Sequence, residues 1–113
     1  MDCIFCKISK GTIKSDCVYE DEEIFAFRDI NPQAPVHILI IPKKHIESIS
    51  QIKGDEESLA GRILSISLEI AKKEKIDKSG FRIVVNNGPD AGQAVNHLHF
   101  HLLGGRELHW PPG

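Results

Sequence analysis

His97, His99 and His101 occupy alternate positions in the stretch Ala94 to Leu103. Imidazole titrates close to neutrality, so at pH 7 it serves as nucleophile, proton carrier or metal ligand. Val95 shares the parity of the three histidines, and Leu98, Phe100 and Leu102 take the other. Strict alternation predicts a half-buried strand, with the leucines and Phe100 toward the core and an imidazole row on the opposite face. Alternate strand residues are roughly 6.6–6.8 Å apart, which separates the backbones of His97 and His101 by roughly 13–14 Å. Neighbours in the row can share one metal ion or one substrate. All three meeting on one tetrahedral metal would need a strong bend, so the row is expected to divide its duties along a groove. The plainer alternative, a solvated polar face, suits one lone histidine better than three in register. The loop before the row holds Asn86, Gly88, Gly92 and Gln93, which offer backbone N–H groups and amide donors of the kind anion sites use. Taken alone, those glycines are more often ordinary turns.

A second group with metal or redox chemistry is Cys3-x-x-Cys6, two thiols at a separation that suits one metal ion. By itself the pair is a weak signal, and a redox pair or two free reduced thiols have the same spacing. Cys17 stands alone and is expected to be a small, partly buried apolar residue.

The elements that must position these groups follow from patterning. Cys17-Val18-Tyr19 and Ile24 to Phe27, separated by acidic Glu20 to Glu23, predict a hairpin. Asn31 to Pro35 is loop, and Val36 to Ile41 a buried strand ended by Pro42. Asp55 to Glu74 predicts the main helix, with Leu59, Ile63, Ile66 and Ile70 on one face, Asp55 as cap and Lys72, Lys73 and Lys75 at the end. Phe81 to Val85 predicts a strand and Asn86 to Gln93 a loop. Strands, then a helix, then strands predict an antiparallel α+β domain over residues 1–113.

Length and charge set the limits. One domain fits in 113 residues, and a chain of this size needs no disulfide framework. Lys plus Arg is 14 and Asp plus Glu 16, a formal charge of −2, which gives no general footprint for nucleic acid or an acidic membrane. No apolar run spans a bilayer, and the start Met1 to Cys6 lacks the pattern of a signal peptide. A cytoplasmic protein is expected.

His97-Leu98-His99-Phe100-His101-Leu102-Leu103 resembles the His-φ-His-φ-His-φ-φ signature (φ apolar) of the histidine triad superfamily. Asp29 to His37, Ile41 to Ile46, Gly104-Gly105 and the ending Trp110-Pro111-Pro112-Gly113 are similar to its nucleotide-binding branch. The resemblance covers nearly the whole chain. It implies about five antiparallel strands, one main helix and a short one, in a homodimer whose sheets join. It implies binding of purine nucleoside monophosphates and hydrolysis of nucleoside phosphoramidates to AMP and an amine, with His99 as the nucleophile that becomes nucleotidylated. His101 and His37 would stabilise phosphate charge and manage protons. Asp29 and Ile30 would hold ribose and base; Asn86, Gly92, Gln93 and Ala94 would contact the phosphate side with His99 and His101. Trp110 would reach across the two-fold axis to shape leaving-group selectivity, the alternative being a tail folded back on its own core. Many members carry Ser where this chain has Ala94, a missing donor that bears on the leaving group.

Microbial relatives with the same Cys pair bind a structural zinc through it and two histidines matching His45 and His97. The resemblance thus implies a closed zinc site of Cys3, Cys6, His45 and His97. Two rival functions fit the same residues: a dinucleoside polyphosphate hydrolase or nucleotidyl transferase, and a non-enzymatic nucleotide-binding dimer.

Overall fold

The computed structural model describes residues 3–113. The expectation about a signal peptide rests in part on Met1 and Asp2, which lie outside the described residues. Helix α1 is Ile4–Ser9; strands β1 (Cys17–Glu20), β2 (Ile24–Arg28) and β3 (Val36–Pro42) follow; then helix α2 (Glu57–Lys73), β4 (Phe81–Val85) and β5 (Phe100–Gly104). The five strands form one antiparallel sheet in the order β1-β2-β3-β5-β4.

The predicted hairpin is present, and its turn is built by Asp21, whose carboxylate accepts from the N–H groups of Glu23 and Ile24, both at 2.8 Å. The charged run thus closes a turn through a short side chain that reaches back to the main chain. β2 and β3 are buried along most of their length because both sheet faces are covered. On one face Ile38, Ile40, Phe100 and Leu102 pack with Ile63, Ile66 and Ile70 of α2. On the other, Phe25, Phe27, Leu39 and Ile41 pack with Cys3, Phe5 and Ile8 around α1. A strand buried on both sides reads as a near-continuous apolar run, as Val36 to Ile41 does apart from His37.

α2 is shorter than Asp55 to Glu74, and its cap differs from the expected one. A 3₁₀ turn, Gly54–Glu56, precedes it, and Glu56 rather than Asp55 reaches back, accepting from Lys53 N–H at 2.9 Å. The Glu74 carboxylate takes both guanidinium nitrogens of Arg28 at 2.9 Å, fastening the helix end to β2.

Three expectations are corrected, and one alternative is set aside. The strand foreseen from Ala94 begins only at Phe100, because the chain bends at Val95 to His97. The bend turns the His97 ring into the interior, where it is fully buried, so the imidazole row does not lie on an open face. Cys17 is exposed, not partly buried, because it opens the edge strand β1. Trp110 is 80% exposed, so the terminal Trp is not folded onto the chain's own core. Gly105, with φ of 90° and Pro35 Cβ at 2.9 Å from where its own Cβ would stand, turns the chain out of β5 into this tail.

Candidate functional site

The bend divides the histidine row into two groups. His97 turns toward α1 and the β3–α2 connection. Its Nε2 lies 2.8 Å from the carbonyl of Pro42, which must accept, so Nε2 carries the proton and Nδ1 presents a lone pair. That Nδ1 lies 3.3 Å from Cys3 Sγ, 3.6 Å from Cys6 Sγ and 3.2 Å from His45 Nδ1, and Cys6 Sγ lies 3.5 Å from His45 Nδ1. The donor atoms of Cys3, Cys6, His45 and His97 all fall within 4.8 Å of one another and form a cluster that could hold a metal ion. Burial holds the His97 pKa below its ordinary value, which keeps the ring in the neutral, ligating form. The Pro42 carbonyl orients it as ligating histidines are commonly oriented. The cysteines reach the cluster because Cys3 caps α1 and Cys6 sits one turn on, its N–H directed to Cys3 Sγ at 3.4 Å.

His99 and His101 lie on the α1 side of the sheet. His101 is paired with Leu39 in register, and His37, opposite Leu103, is its diagonal neighbour. The hydrogen-bond chain decides the tautomers. Gln33 N–H donates to His37 Nδ1 at 3.0 Å, so the His37 proton is on Nε2. That Nε2–H faces His101 Nδ1 at 2.9 Å, so the His101 proton is in turn on Nε2. His101 Nε2 is the buried side-chain nitrogen without a hydrogen-bond partner among the described residues, a donor with nothing yet to bind. His99 Nδ1 lies 2.7 Å from the carbonyl of His97, so Nδ1 carries the proton and Nε2 keeps its lone pair. The site therefore sets a nucleophilic nitrogen beside a free N–H donor, with the His99 and His101 rings 5.1 Å apart.

Burial, together with His99 and His37 nearby, pushes the His101 pKa down to about 4; burial also lowers that of His37, against the pull of Asp29, whose Oδ2 is 3.5 Å from Nε2. A histidine of this kind binds its proton near pH 6.5 when unfolded and only near 4 when folded, so the unfolded chain takes up the extra proton in between. Its contribution to stability is complete above about pH 6.5 and is lost as pH falls toward 4, by on the order of 3 kcal/mol. Denaturant melts at pH 7 and 4.5 should show a smaller pH-dependent loss for His101→Gln than for the parent; equal losses would remove His101 from the acid response.

The other expected site residues are placed unevenly. Asn86, His37 and His101 line one groove of about 320 Å³ with Arg82, Arg106 and Leu108. Asp29 stands beside His37, its Oδ1 accepting from Asn31 N–H at 2.8 Å, and Ile30 is 99% exposed, an apolar side chain free to meet a flat ligand. Ala94 lines a separate cleft with Cys3, His45 and Asn96. Gly92 and Gln93 spend their main-chain N–H groups inside their own turn, on Pro89 and Gly88 carbonyls. The Gln93 amide accepts from Gly88 N–H and donates to the carbonyls of Glu47 and Val95, so here it holds two loops together. Sequence reading missed the Pro42 carbonyl and the Gln33 N–H, which set the His97 and His37 tautomers; main-chain groups leave no signal in residue identity. It also missed Phe5, whose only signal is its place between the two cysteines.

A HIT domain model matches residues 10–108. An uncharacterized HIT-like protein of Synechococcus elongatus is 50% identical over 112 residues, 99% of this chain and 97% of that protein. A HIT family hydrolase from Legionella pneumophila superposes with a TM-score of 0.97 at 49% identity, covering 99% of this chain and all of the other. A histidine triad nucleotide-binding protein from Candida albicans superposes with a TM-score of 0.83 at 37% identity, over 97% of this chain and 83% of that one. The chain belongs to the HIT family, the histidine triad superfamily. No helix among the described residues is long and apolar enough to cross a membrane.

Proposed function

We propose that the protein is a cytoplasmic purine nucleoside phosphoramidate hydrolase working through a nucleotidyl-His99 intermediate. The observation that carries this reading is the pair of tautomers at the sheet: an Nε2 lone pair on buried His99 beside an unpartnered Nε2–H on His101. The naming of similar structures as a hydrolase and a nucleotide-binding protein supports it.

His99 Nε2 attacks the α-phosphorus. The phosphorus–nitrogen bond of the substrate breaks, and the amine leaves with a proton from solvent. Water then attacks the same phosphorus, the bond to His99 breaks, and AMP leaves as the water's proton returns to solvent. An imidazole suits both steps, since it is a good nucleophile when neutral and its phosphoryl adduct is labile. His101 Nε2–H would bind a phosphoryl oxygen as its charge grows, with His37 holding the ring in that tautomer. Asp29 and Ile30 would hold ribose and base; Asn86, Gly92, Gln93 and Ala94 would border the phosphate side. The decisive assay incubates the protein with adenosine 5′-phosphoramidate, quenches early and maps the modified residue. AMP on His99 supports the reading; AMP on His97 or His101, or on none, rejects it.

The metal is assigned as structural zinc. Zinc–sulfur bonds of about 2.3 Å and zinc–nitrogen bonds of about 2.0–2.1 Å in a tetrahedron place sulfur and nitrogen ligands about 3.5 Å apart and two nitrogens about 3.4 Å apart. Four spacings among Cys3, Cys6, His45 and His97, each involving a histidine, run from 3.2 to 3.6 Å and fit that frame, within a cluster whose donors all lie inside 4.8 Å of one another. Four protein donors close the shell, so zinc would supply cross-linking and no activated water.

The protein is further proposed to be a homodimer in which Trp110 of each chain serves the other's site. Leu108 and Pro112 already line the groove beside His37 and His101, while Trp110 projects outward with a large apolar face uncovered. Deleting residues 110–113 should change the ranking of substrates by leaving amine while His99 is still nucleotidylated. An unchanged ranking, or a full-length monomer in sedimentation at micromolar concentration, would reject the shared site.

A further inference from the structure

Phe5 is one of the two residues between the cysteines of the clip, and among the described residues of α1 its ring is the one that meets the histidine row. It is 6% exposed. Its ring meets His99 in a T-shaped contact at 5.1 Å and 80°, His97 at 5.9 Å and 75°, and Phe27 at 5.6 Å and 70°. The His99 ring is thus contacted by Phe5 and His101 while its Nδ1–H is held by the His97 carbonyl. One hydrogen bond leaves an imidazole free to rock about that bond, and ring contacts restrict the rocking. α1 has six residues, too few to persist as a helix unaided, so Phe5 depends on what anchors Cys3 and Cys6.

We propose that Phe5 is a positioning residue for His99, aligning the Nε2 lone pair for attack, and that the Cys3–Cys6–His45–His97 cluster supports the chemistry by holding Phe5 in place beside the His97 carbonyl that fixes the ring. This inference rests on the reading of His99 as nucleophile. A T-shaped contact of this kind is worth little energy, yet a small misplacement of a reacting group can cost about 10²-fold in rate.

The test compares Phe5→Leu with Phe27→Leu, a substitution in the same apolar cluster that does not touch His99, on protein carrying its metal. Phe5→Leu should slow single-turnover nucleotidylation of His99 by about 10-fold or more, with AMP affinity and metal content unchanged. Nitrogen NMR should show the Nδ1–H tautomer of His99 giving way to a mixture in Phe5→Leu and persisting in Phe27→Leu. An unchanged rate and tautomer in Phe5→Leu would overturn the proposal. So would equal changes in both variants, since general loss of packing would then explain them. Should the parent fail to form nucleotidyl-His99 at all, the functional reading falls, and the tautomer comparison alone then decides whether Phe5 orients the ring.

Discussion

His99→Ala is expected to lower phosphoramidate turnover by about 10⁴-fold or more while AMP still binds with near-parental affinity. The two effects separate because they rest on different groups. In the proposed mechanism bond-making would need the single lone pair on His99 Nε2, and the nearest other imidazoles are committed elsewhere. His97 presents its lone pair to the cysteines, and His101 spends its own on the proton of His37. On the proposed reading nucleotide affinity would draw on Asp29, the exposed Ile30, Asn86 and the His101 donor, none of which the substitution removes. Alanine leaves a space beside Phe5 and His101, so some loss of stability accompanies it. Burst kinetics with adenosine 5′-phosphoramidate, alongside calorimetric titration with AMP, measures both quantities. Retained turnover would assign the nucleophile elsewhere, and loss of AMP binding in step with turnover would mean that His99 mainly holds ligand.

Removal of the metal, by chelation or by Cys3→Ser, should destabilise the fold by on the order of 3 kcal/mol, a fall of roughly 10 °C or more in Tm. The reason is local. Cys3 and the fully buried His97 bring polar atoms into an apolar surround, and without the ion the His97 lone pair has only weak thiol S–H partners, that of Cys3 nearest at 3.3 Å. Helix α1 then loses the cross-link that ties its start to the β3–α2 connection. AMP affinity should change far less, since the groove lined by His37, Asn86 and His101 contains none of the four ligands, although Ala94 shares a cleft with Cys3 and His45. One equivalent of zinc per chain by elemental analysis is expected. Metal-free protein from gentle purification, with an unchanged melt for Cys3→Ser, would dismiss the site. Retained stability with loss of AMP binding would instead place the metal in the nucleotide site.

Much of the sheet is legible in residue order because patterning and local chemistry agree there. Apart from His37, Val36 to Ile41 is apolar on both parities, and β3 is covered by α2 on one side and the α1 cluster on the other. Leu59, Ile63, Ile66 and Ile70 recur at helical spacing, and the last three are buried. The helix cap was misplaced by one residue because Asp55 and Glu56 are both acidic, and only the 3₁₀ turn decides which of them reaches Lys53 N–H. The alternation from Ala94 to Leu103 overstated the strand, since a period of two is equally satisfied by a bent segment whose histidines find partners in the interior.

Residue types and spacing alone determined that an imidazole row exists, that its members could not all serve one centre, and that Cys3 and Cys6 lie close enough to share an ion. Those conclusions need only strand geometry and the chemistry of thiol and imidazole. Which nitrogen of each ring carries a proton was decided by tertiary structure, through the carbonyls of Pro42 and His97 and the N–H of Gln33. Main-chain groups are the same at every residue, so their placement beside a given ring depends on how distant segments come together. The contact of Phe5 with His99 has the same origin: 94 positions separate them in the chain, and only the covering of the sheet by α1 brings the rings to 5.1 Å.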